Sequence, residues 1–563
     1  MMRMDSRRKN EATTMRRRRR DGAGVDADPD RLRDPGGMAE PKRGGGVLVV
    51  LACAQICTAC DNCLVGIAAQ SIMDTMAAGY DEVQMATMVY SLVAGAFMIF
   101  GGLLGVVVGW RRNLRLGIGL ALAGEIVLVT TTDIGLFIWG GRGLVGLGAS
   151  LIVPSVLGMV PLYFSGGKRL TAFGAIAAAA GFATLSPIPF GVMLDTVGLR
   201  PSFMVLAGMF ALLLVGTLAL PEPRVSDKNV KIDVVGVALG ALGLGLLMVG
   251  ASRLPAWGVW RALPGCPVSI AGISPALPMI CFGIAVLAVF LAHEKRYEVR
   301  CGYALLPRSF VSTPRVRAGL LAVAIPYVYS GAQSIVMTPY IQLVGGLNAT
   351  QTGMLALLSG IPMLLFSLLI PKLLPHAVPR SVIRFGYALL AVGSFTMAFS
   401  LNEHGVGLGL FVAVFLAGCG SGVVNSHANN AVASAVNTHD AEQSGGIQGT
   451  ARNLGTAFGA ALMGTTLLLT LSLSFGMEVK DIPADDPAKL ESLAASEVAF
   501  VSDEAFEELV AEEGIEGATG ARLIEANAHA RMIAARSTML VLGGMLVLCG
   551  VLGTRKLNGK SMA

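Results

Sequence analysis

Three charged residues lie inside otherwise apolar stretches of the first third of the chain: Asp61, Glu125 and Arg142. A charge at the centre of a bilayer costs about 2.5–3.5 kcal/mol on insertion scales, so each is a candidate for function. A buried carboxylate that is alternately paired with a cation and released from it changes its proton affinity strongly. Asp61 and Glu125 are therefore candidates for proton coupling, and Arg142, which does not titrate, for adjusting them. The alternative is a structural ion pair that holds helices in register.

Asp61 sits within a cysteine-rich segment, CAQICTACDNC at 53–63. The cysteines are Cys53, Cys57, Cys60 and Cys63. Their spacing places them along one helix face over about 15 Å, and four thiolates on one rigid helix cannot converge on a tetrahedral zinc shell. We expect neither a metal site nor disulfides among them, and interpret them as small packing residues around the aspartate. The alternative is a substrate with affinity for thiols.

The elements that carry these residues are predicted membrane spans. The chain has 563 residues, of which 54% are hydrophobic and 14% charged, so we expect an all-α polytopic membrane protein. Apolar stretches of about 20 residues, the length that spans a bilayer, recur throughout. The fourteen predicted spans are roughly 46–70, 86–108, 115–131, 136–163, 170–193, 202–220, 233–252, 270–292, 317–343, 352–372, 382–400, 406–433, 444–472 and 537–553. At about 1.5 Å per residue, the three charges could occupy one layer of a bundle.

Alternate loops carry most of the lysines and arginines, which predicts that those loops are cytoplasmic. An even number of spans then places both termini in the cytoplasm, in a plasma or inner membrane. The segment 1–45 is predicted to be a disordered basic tail; alternatives are a lipid-binding segment or a true start at Met38. We expect the acidic segment 478–525 to be a solvated external loop, with a cation-collecting vestibule as the alternative, and 554–563 to be a cytoplasmic tail.

One predicted span of the second half carries aromatic, amide and thioether groups that could line a pocket for a large amphipathic ligand. These substrate-pocket candidates are Tyr327, Tyr329, Gln333 and Met337. Arg452, near the start of the span 444–472, is expected to form structural contacts on the inner side together with Asn425 and His427.

Several segments resemble motifs of the major facilitator superfamily, specifically its fourteen-helix drug:proton antiporter branch of the EmrB/QacA type. CDNCLVGIAAQSI at 60–72 is similar to LDxTxVNVALPxI of that branch and places Asp61 on its aspartate. RGLVGLGA at 142–149 resembles RxxQGxGa, which implicates Arg142 in proton transfer. TPYIQLVGGLNATQTGMLALLSGIP at 338–362 and ARNLGTAFGAAL at 451–462 resemble two further motifs of the branch. The resemblance extends from about residue 52 to residue 471.

Two further motifs are incomplete. GLLGVVVGWRRNL at 102–114 resembles the gate motif GxLxDrxGrRr, with Val106 in place of its aspartate, so a charge latch between the halves would be missing or rebuilt. SPIPFG at 186–191 is similar to GPxxGG, which bends a helix and permits close packing. The residues that fit these motifs are Gly102, Gly109, Arg111, Arg112, Pro187 and Gly191.

The resemblance implies a major facilitator fold: two six-helix bundles, at 46–220 and 317–553, and a linker at 221–316 that contributes two inserted helices. It implies proton-coupled efflux of drugs or of lipophilic or cationic compounds by alternating access around a site near the midplane. The proton gradient would be the energy source, with no cofactor. Expected partners are a small-molecule substrate, protons and lipid, without nucleic acid. We expect a functional monomer, with periplasmic or envelope proteins as the partners to test for.

Other functions fit the sequence less well. Export of an endogenous metabolite, lipid or peptide is the main alternative. An ATP-driven pump needs a phosphate-binding loop, and GTRKLNGKS at 553–561 has one residue too many between its glycines. We also expect no enzyme, since histidines are few and none has the spacing of HExxH. A membrane sensor would need a soluble output domain, which neither terminus is predicted to supply.

Overall fold

The structure is a computed structural model, and it is almost entirely helical. The described residues are 44–557, with internal gaps at 79, 184, 222–232, 263–265, 267–268, 270–271, 302, 346–348, 375–376, 403–404, 437–443, 481, 483–502, 513–514 and 516. The predicted basic tail, the middle of the predicted acidic loop and the end of the chain therefore lie outside the described residues.

The first half contains helices that together make six passes. They are α1 (Gly44–Ile67), α2 (Ala69–Met76), α3 (Tyr80–Val108), α4 (Trp110–Thr130), a π-helical turn (Leu136–Arg142) that continues into α5 (Gly143–Tyr163), α6 (Gly166–Ala183), α7 (Pro187–Val197), and α8 (Leu199–Gly216) with a 3-10 turn (Thr217–Ala219). One apolar core runs through this half from Val47 to Leu220, joined by Ala433 from the second half.

The inserted pair and the second half follow. They are α9 (Val234–Trp257), α10 (Ala276–Cys301), α11 (Arg308–Ser312), α12 (Pro314–Leu343), α13 (Ala349–Leu373), α14 (Pro379–Ser400), α15 (Leu408–Ala433), α16 (Ser444–Lys480), α17 (Asp503–Glu512), and α18 (Ala518–Leu548) with a π-helical turn (Cys549–Gly553). Strands β1 (Leu401–Asn402) and β2 (Gly405–Val406) form an antiparallel hairpin between α14 and α15. A second apolar core extends from Phe310 to Leu557.

Thirteen helices in the described part of the chain are long and apolar enough to cross a membrane. The predicted fifth span, 170–193, is wrong as one helix, because the chain forms α6 and α7 with a turn at Leu185 and Ser186 between them. Pro187 is the first residue of α7, and a proline interrupts the hydrogen bonding of a helix that would precede it. This broken pass accounts for the difference between thirteen and the fourteen predicted.

One other predicted boundary is wrong. The last span was placed at 537–553, but α18 begins at Ala518. Two of the polar residues that precede the predicted span, Asn527 and Arg531, are buried at 1% and 0% exposure, so the helix packs inside the bundle before the apolar stretch begins. Part of the predicted acidic loop is the helix α17, whose Phe506 packs edge-on against Phe475 of α16. The domain boundaries proposed from the sequence stay a prediction.

The two halves pack together through α16 against α3 and α5, and through α6 against α13 and α15. These contacts lie toward the basic end of the molecule, the end whose loops carry Arg111, Arg112, Lys168 and Arg169. Gly446 illustrates how close the helices come: a Cβ there would lie 2.6 Å from the carbonyl oxygen of Met98. The inserted helix α9 contacts both α3 and α16, and so covers one edge of the junction between the halves.

Candidate functional site

A buried ion pair joins the first and fourth passes of the first half. Asp61 Oδ1 on α1 accepts a hydrogen bond from Arg142 Nη1 at 2.7 Å. Both side chains are 0% exposed. Removing one partner from such a pair leaves an uncompensated charge in a region without water, which costs several kcal/mol. The two helices are therefore held together as long as both groups stay charged.

Two contacts from α3 fix the position of the Arg142 guanidinium. Arg142 Nε donates a hydrogen bond to the carbonyl oxygen of Ala86 at 3.3 Å. The guanidinium carbon lies 4.7 Å from the centroid of the Tyr90 ring, within the range of a cation–π interaction. Arg142 is the last residue of the π-helical turn, and such turns redirect side chains and are frequent at functional sites.

Glu125, on α4, is the third charged residue of a cluster that it forms with Asp61 and Arg142. Glycines bring this helix against the π-helical turn: a Cβ at Gly124 would lie 2.8 Å from the carbonyl oxygen of Gly141. Glu125 is 0% exposed, and its charge interacts with those of Asp61 and Arg142. Neither of its carboxylate oxygens accepts a hydrogen bond, and Asp61 Oδ2 also lacks a hydrogen-bond partner.

The three groups form an arrangement that can bind a proton. Two carboxylates beside one guanidinium carry a net negative charge, which a single proton neutralises. A protonated Glu125 would become a donor, and Asp61 Oδ2 is an acceptor without a partner. The structure thus brings together the three residues that the sequence singled out for proton coupling, while their role stays a prediction.

Three adjoining cavities lie between the two halves. The outer cavity, about 400 Å³, is lined by residues of both halves and of α9. The second-half cavity, about 350 Å³, is lined mainly by α12, α13 and α15. The central cavity, about 250 Å³, is lined by α1, α3, α5, α12 and α16, and shares lining residues with both others. A drug-sized ligand needs a space of this order, about 300–1,000 Å³.

Three of the four predicted pocket residues line these cavities. Tyr327, Tyr329 and Gln333 face the second-half cavity, where Gln333 Nε2 donates a hydrogen bond to the Tyr329 hydroxyl at 2.6 Å. Tyr327 also lines the central cavity. Met337 differs: it is 1% exposed, belongs to the apolar core of the second half, and lines none of the three cavities.

Arg452 lines the central cavity from α16. Its Nη2 donates a hydrogen bond to Asn429 Oδ1 at 3.0 Å, and its guanidinium carbon lies 5.4 Å from the centroid of the Tyr327 ring. The contact with Asn429 is of the structural kind expected from the sequence. The position on the cavity wall was not expected, because the sequence does not show which helices surround a residue.

The gate-motif residue Arg111 contacts its own half of the molecule. Gly109 has φ of 100°, in the left-handed region that favours glycine, and starts α4. Arg111 Nη1 donates a hydrogen bond to the carbonyl oxygen of Leu220 at 2.9 Å, within the same half. Arg112 is exposed, and Val106, in place of the motif's aspartate, is buried.

A different arginine contacts the opposite half. Arg169 Nε, just inside α6, donates a hydrogen bond to Asn430 Oδ1 on α15 at 3.1 Å. Close backbone packing adds to this contact, since a Cβ at Gly446 would lie 3.2 Å from the Cα of Gly102. In the described part of the chain, the contacts between the halves at the basic end thus include a hydrogen bond to a neutral acceptor and close glycine packing.

The motif SPIPFG in the fifth pass was expected to bend the helix and to permit close packing. The chain breaks before Pro187, as a bending motif predicts. At Gly191, no atom of the described residues lies within 4 Å of a Cβ built there, and the role of this glycine stays a prediction. Phe190, which replaces a glycine of the motif, is buried in the first apolar core and occupies space that a glycine would leave open.

The cysteines around Asp61 are packing residues in the structure. Cys57 and Cys60 are buried, Cys63 is half-buried and Cys53 is exposed, and all are free thiols. Among the described residues, no group of three or more His, Cys, Asp and Glu side chains could hold a metal ion.

Sequence reasoning missed several polar residues of the cavity walls, among them Gln55, Tyr90, Arg253 and Asn453. Tyr90 contacts Arg142 and also lines the central cavity. Hydropathy alone could not distinguish it from a tyrosine at a membrane surface. Gln55 was detectable as an amide within a long apolar span, six residues before Asp61.

Relatives with curated names include transport and resistance proteins. The chain is 26% identical over 505 residues to a "Probable actinorhodin transporter" of Streptomyces coelicolor, covering 84% of each chain. It is 27% identical over 435 residues to "Puromycin resistance protein pur8" of Streptomyces alboniger, covering 76% of this chain and 82% of that one. It is also 25% identical over 426 residues to "Multidrug resistance protein Stp" of Mycobacterium tuberculosis, covering 73% of this chain and 74% of that one.

Solved structures show the same fold. The peptide transporter POT in complex with sulfate matches with a TM-score of 0.55 at 15% identity, covering 93% of this chain and 97% of that chain. The human organic anion transporter MFSD10 matches with a TM-score of 0.54 at 13% identity, covering 90% of this chain and 100% of that chain. The model of the Major Facilitator Superfamily matches residues 51–460. The predicted fold class is therefore confirmed, and the chain belongs to the Major Facilitator Superfamily as a multi-pass membrane transporter of small molecules and not an enzyme.

Proposed function

We propose that the protein is a proton-coupled exporter of small lipophilic molecules that works by alternating access. The observation that carries this proposal is the buried cluster of Asp61, Glu125 and Arg142, which adjoins a cavity between the two halves. The cluster can take up one proton, and the cavity can hold a ligand. An exporter driven by protons needs both in one protein.

Coupling requires that protonation and substrate binding favour different states of the transporter. Tyr90 is placed to connect the two events, because its ring contacts the Arg142 guanidinium and its side chain forms part of the cavity wall. A change in the charge balance of the cluster would move Arg142, and with it the ring that borders the substrate.

The packing of the halves supports alternating access. Their close contacts, at Gly446 and Arg169, lie toward the basic end. Among the described residues, these contacts include close helix packing and hydrogen bonds such as that from Arg169 Nε to Asn430 Oδ1, and each such bond is worth about 0.5–1.5 kcal/mol, so we infer that the contacts separate at modest cost. We infer that the basic end faces the cytoplasm, that both termini are cytoplasmic, and that the protein lies in the plasma membrane.

The names of the relatives support export as the direction of transport, since they include resistance and multidrug resistance proteins. A second candidate is export of an endogenous metabolite, which the similarity to a probable actinorhodin transporter favours. For either candidate we infer that the proton gradient supplies the energy without a cofactor. We also infer that a monomer suffices, because the cluster and cavities are complete within one chain.

Reconstitution into liposomes with an imposed pH gradient tests this proposal. Dyes, quaternary ammonium compounds and metabolites would be screened for movement together with proton flux. Movement of dyes against protons supports drug export, while proton movement with a metabolite alone supports the second candidate. Movement of no compound under a gradient, by protein shown to be folded, would contradict both.

A further inference from the structure

We propose that the central cavity selects substrates bearing a negative charge, and that Arg452 binds that charge. The substrate class would be aromatic, lipophilic compounds with a carboxylate or phenolate group. This inference rests on the proposed function and narrows its substrate. It also departs from the cationic substrates that the sequence favoured.

The charge of the cavity walls is the first argument. Among the described residues that line the three cavities, the charged ones are Arg452, in the central cavity, and Arg253, in the outer cavity. The remaining lining residues are apolar or neutral polar. A cation brought beside Arg452 would meet its positive charge, whereas an anion would be attracted to it.

The second argument is that Arg452 forms no salt bridge with a carboxylate of the described residues. Arg452 is 8% exposed. Its Nε has no hydrogen-bond partner. A buried guanidinium is costly unless it is paired, and Asn429 supplies only a neutral acceptor. A carboxylate or phenolate in the cavity would supply the missing charge and acceptor.

The surroundings of Arg452 fit an aromatic acid. The Tyr327 ring lies against the guanidinium on one side, at 5.4 Å, and Tyr90 lines the same cavity from the other half. Gln55 is 8% exposed, lines the cavity from α1, and has an Oε1 atom without a hydrogen-bond partner. Anionic, aromatic and hydroxyl groups of one ligand can therefore each find a partner.

The acidic residues of the first half do not create a cation site in this cavity. Asp61 is 0% exposed and is hydrogen-bonded to Arg142. Glu125 is also 0% exposed, and neither residue lines any of the three cavities. Their negative charge is thus buried outside the cavity walls and is partly cancelled by Arg142.

Two xanthene dyes of opposite charge test the proposal. Fluorescein is an anion and rhodamine 6G a cation on the same aromatic framework. Their binding to the purified full-length protein would be measured at equilibrium by fluorescence anisotropy, without a proton gradient. We expect fluorescein to bind about tenfold or more tightly than rhodamine 6G, as one charge-assisted hydrogen bond would give.

Variants of Arg452 separate a binding role from a structural one. Arg452→Gln should weaken fluorescein binding by about tenfold or more and leave rhodamine 6G binding unchanged or stronger. Arg452→Lys should restore much of the fluorescein binding, since the charge remains. The matched control is Arg300→Gln, which removes a charge from an exposed position at the end of α10, outside the cavities. Thermal unfolding of each variant reports whether it is folded.

The outcomes are distinct. A preference of the wild-type protein for rhodamine 6G would overturn the proposal, and so would equal loss of both dyes in a folded Arg452→Gln protein. If Arg452→Gln fails to fold, the proposal is tested by the relative affinities of fluorescein and rhodamine 6G for wild-type protein and for Arg452→Lys. Because binding is measured without a gradient, charge-selective binding without proton-driven export would contradict the proposed function and leave this inference standing.

Discussion

Two buried arginines, one in each half, have opposite surroundings. Arg142 is 0% exposed and donates a 2.7 Å hydrogen bond to Asp61, with Glu125 beside it. Arg452 is 8% exposed, and in the described part of the chain its side chain contacts the neutral acceptor Asn429 and the ring of Tyr327. Arg142 lies beside two carboxylates, which carry more negative charge than one guanidinium can neutralise. Arg452, by contrast, is hydrogen-bonded to a neutral amide.

The difference separates two tasks that a coupled transporter must perform. An excess of carboxylate binds a proton, and an excess of guanidinium binds an anion. Tyr90, which contacts Arg142 and lines the cavity of Arg452, lies between the two sites. Changes in the first half should therefore affect energy coupling, and changes at Arg452 should affect binding of the substrate.

The largest effect is expected for Asp61→Asn. The amide keeps the size of the side chain but cannot bind and release a proton as a carboxylate does. Proton-driven export in proteoliposomes should therefore be abolished. Substrate binding at equilibrium should change by no more than about threefold, since Asp61 does not line the cavities. Asp195→Asn, at an exposed position on α7, is the matched control. Full export by folded Asp61→Asn protein would refute the proton role.

Glu125→Gln should uncouple the transporter less completely. Without the second carboxylate, the pair of Asp61 and Arg142 is already neutral and attracts a proton weakly. We expect stimulation by a pH gradient to fall about tenfold, which corresponds to about 1.4 kcal/mol. Substrate counterflow, which needs no net proton movement, should stay within about twofold of wild type. Equal loss of counterflow and of gradient stimulation would indicate a structural role instead.

Gly446→Ala should change the balance between transporter states without touching either arginine. A Cβ at this position would lie 2.6 Å from the carbonyl oxygen of Met98, so the packing at the basic end must open. Overpacking of this kind costs about 1–3 kcal/mol. The measurement is the distance between spin labels placed on α3 and α16, which should lengthen on average. Gly191→Ala is the control, because its Cβ would meet nothing within 4 Å.

The smallest effect is expected at Tyr90. Tyr90→Leu removes the ring that contacts Arg142 and should weaken coupling by the value of one cation–π interaction, about 0.5–2 kcal/mol. Tyr90→Phe keeps the ring and should remain within about twofold of wild type. The ratio of transported substrate to protons distinguishes them. Uncoupling by Tyr90→Phe as strong as by Tyr90→Leu would assign the role to the hydroxyl group.

Much of the fold was predictable from the sequence, because a membrane span is a local property of about 20 residues. Most predicted spans match helices, and Pro187 marks the break in the fifth pass. The start of α18 was not predictable. Arg531 lies within that helix and is fully buried, and a length rule that stops at charged residues cannot recognise polar groups that pack inside the bundle.

The candidate site was predictable to a different degree in each half. The sequence by itself singled out Asp61, Glu125 and Arg142 as candidates, because a charge in an apolar span is costly wherever its partner lies. Only the tertiary structure decided that Asp61 pairs with Arg142, 81 residues away, and that Arg452 forms no salt bridge with any carboxylate that the structure describes. The physical reason is that the electrostatic state of a buried charge depends on helices distant in sequence, while the cost of burying it depends on its own span.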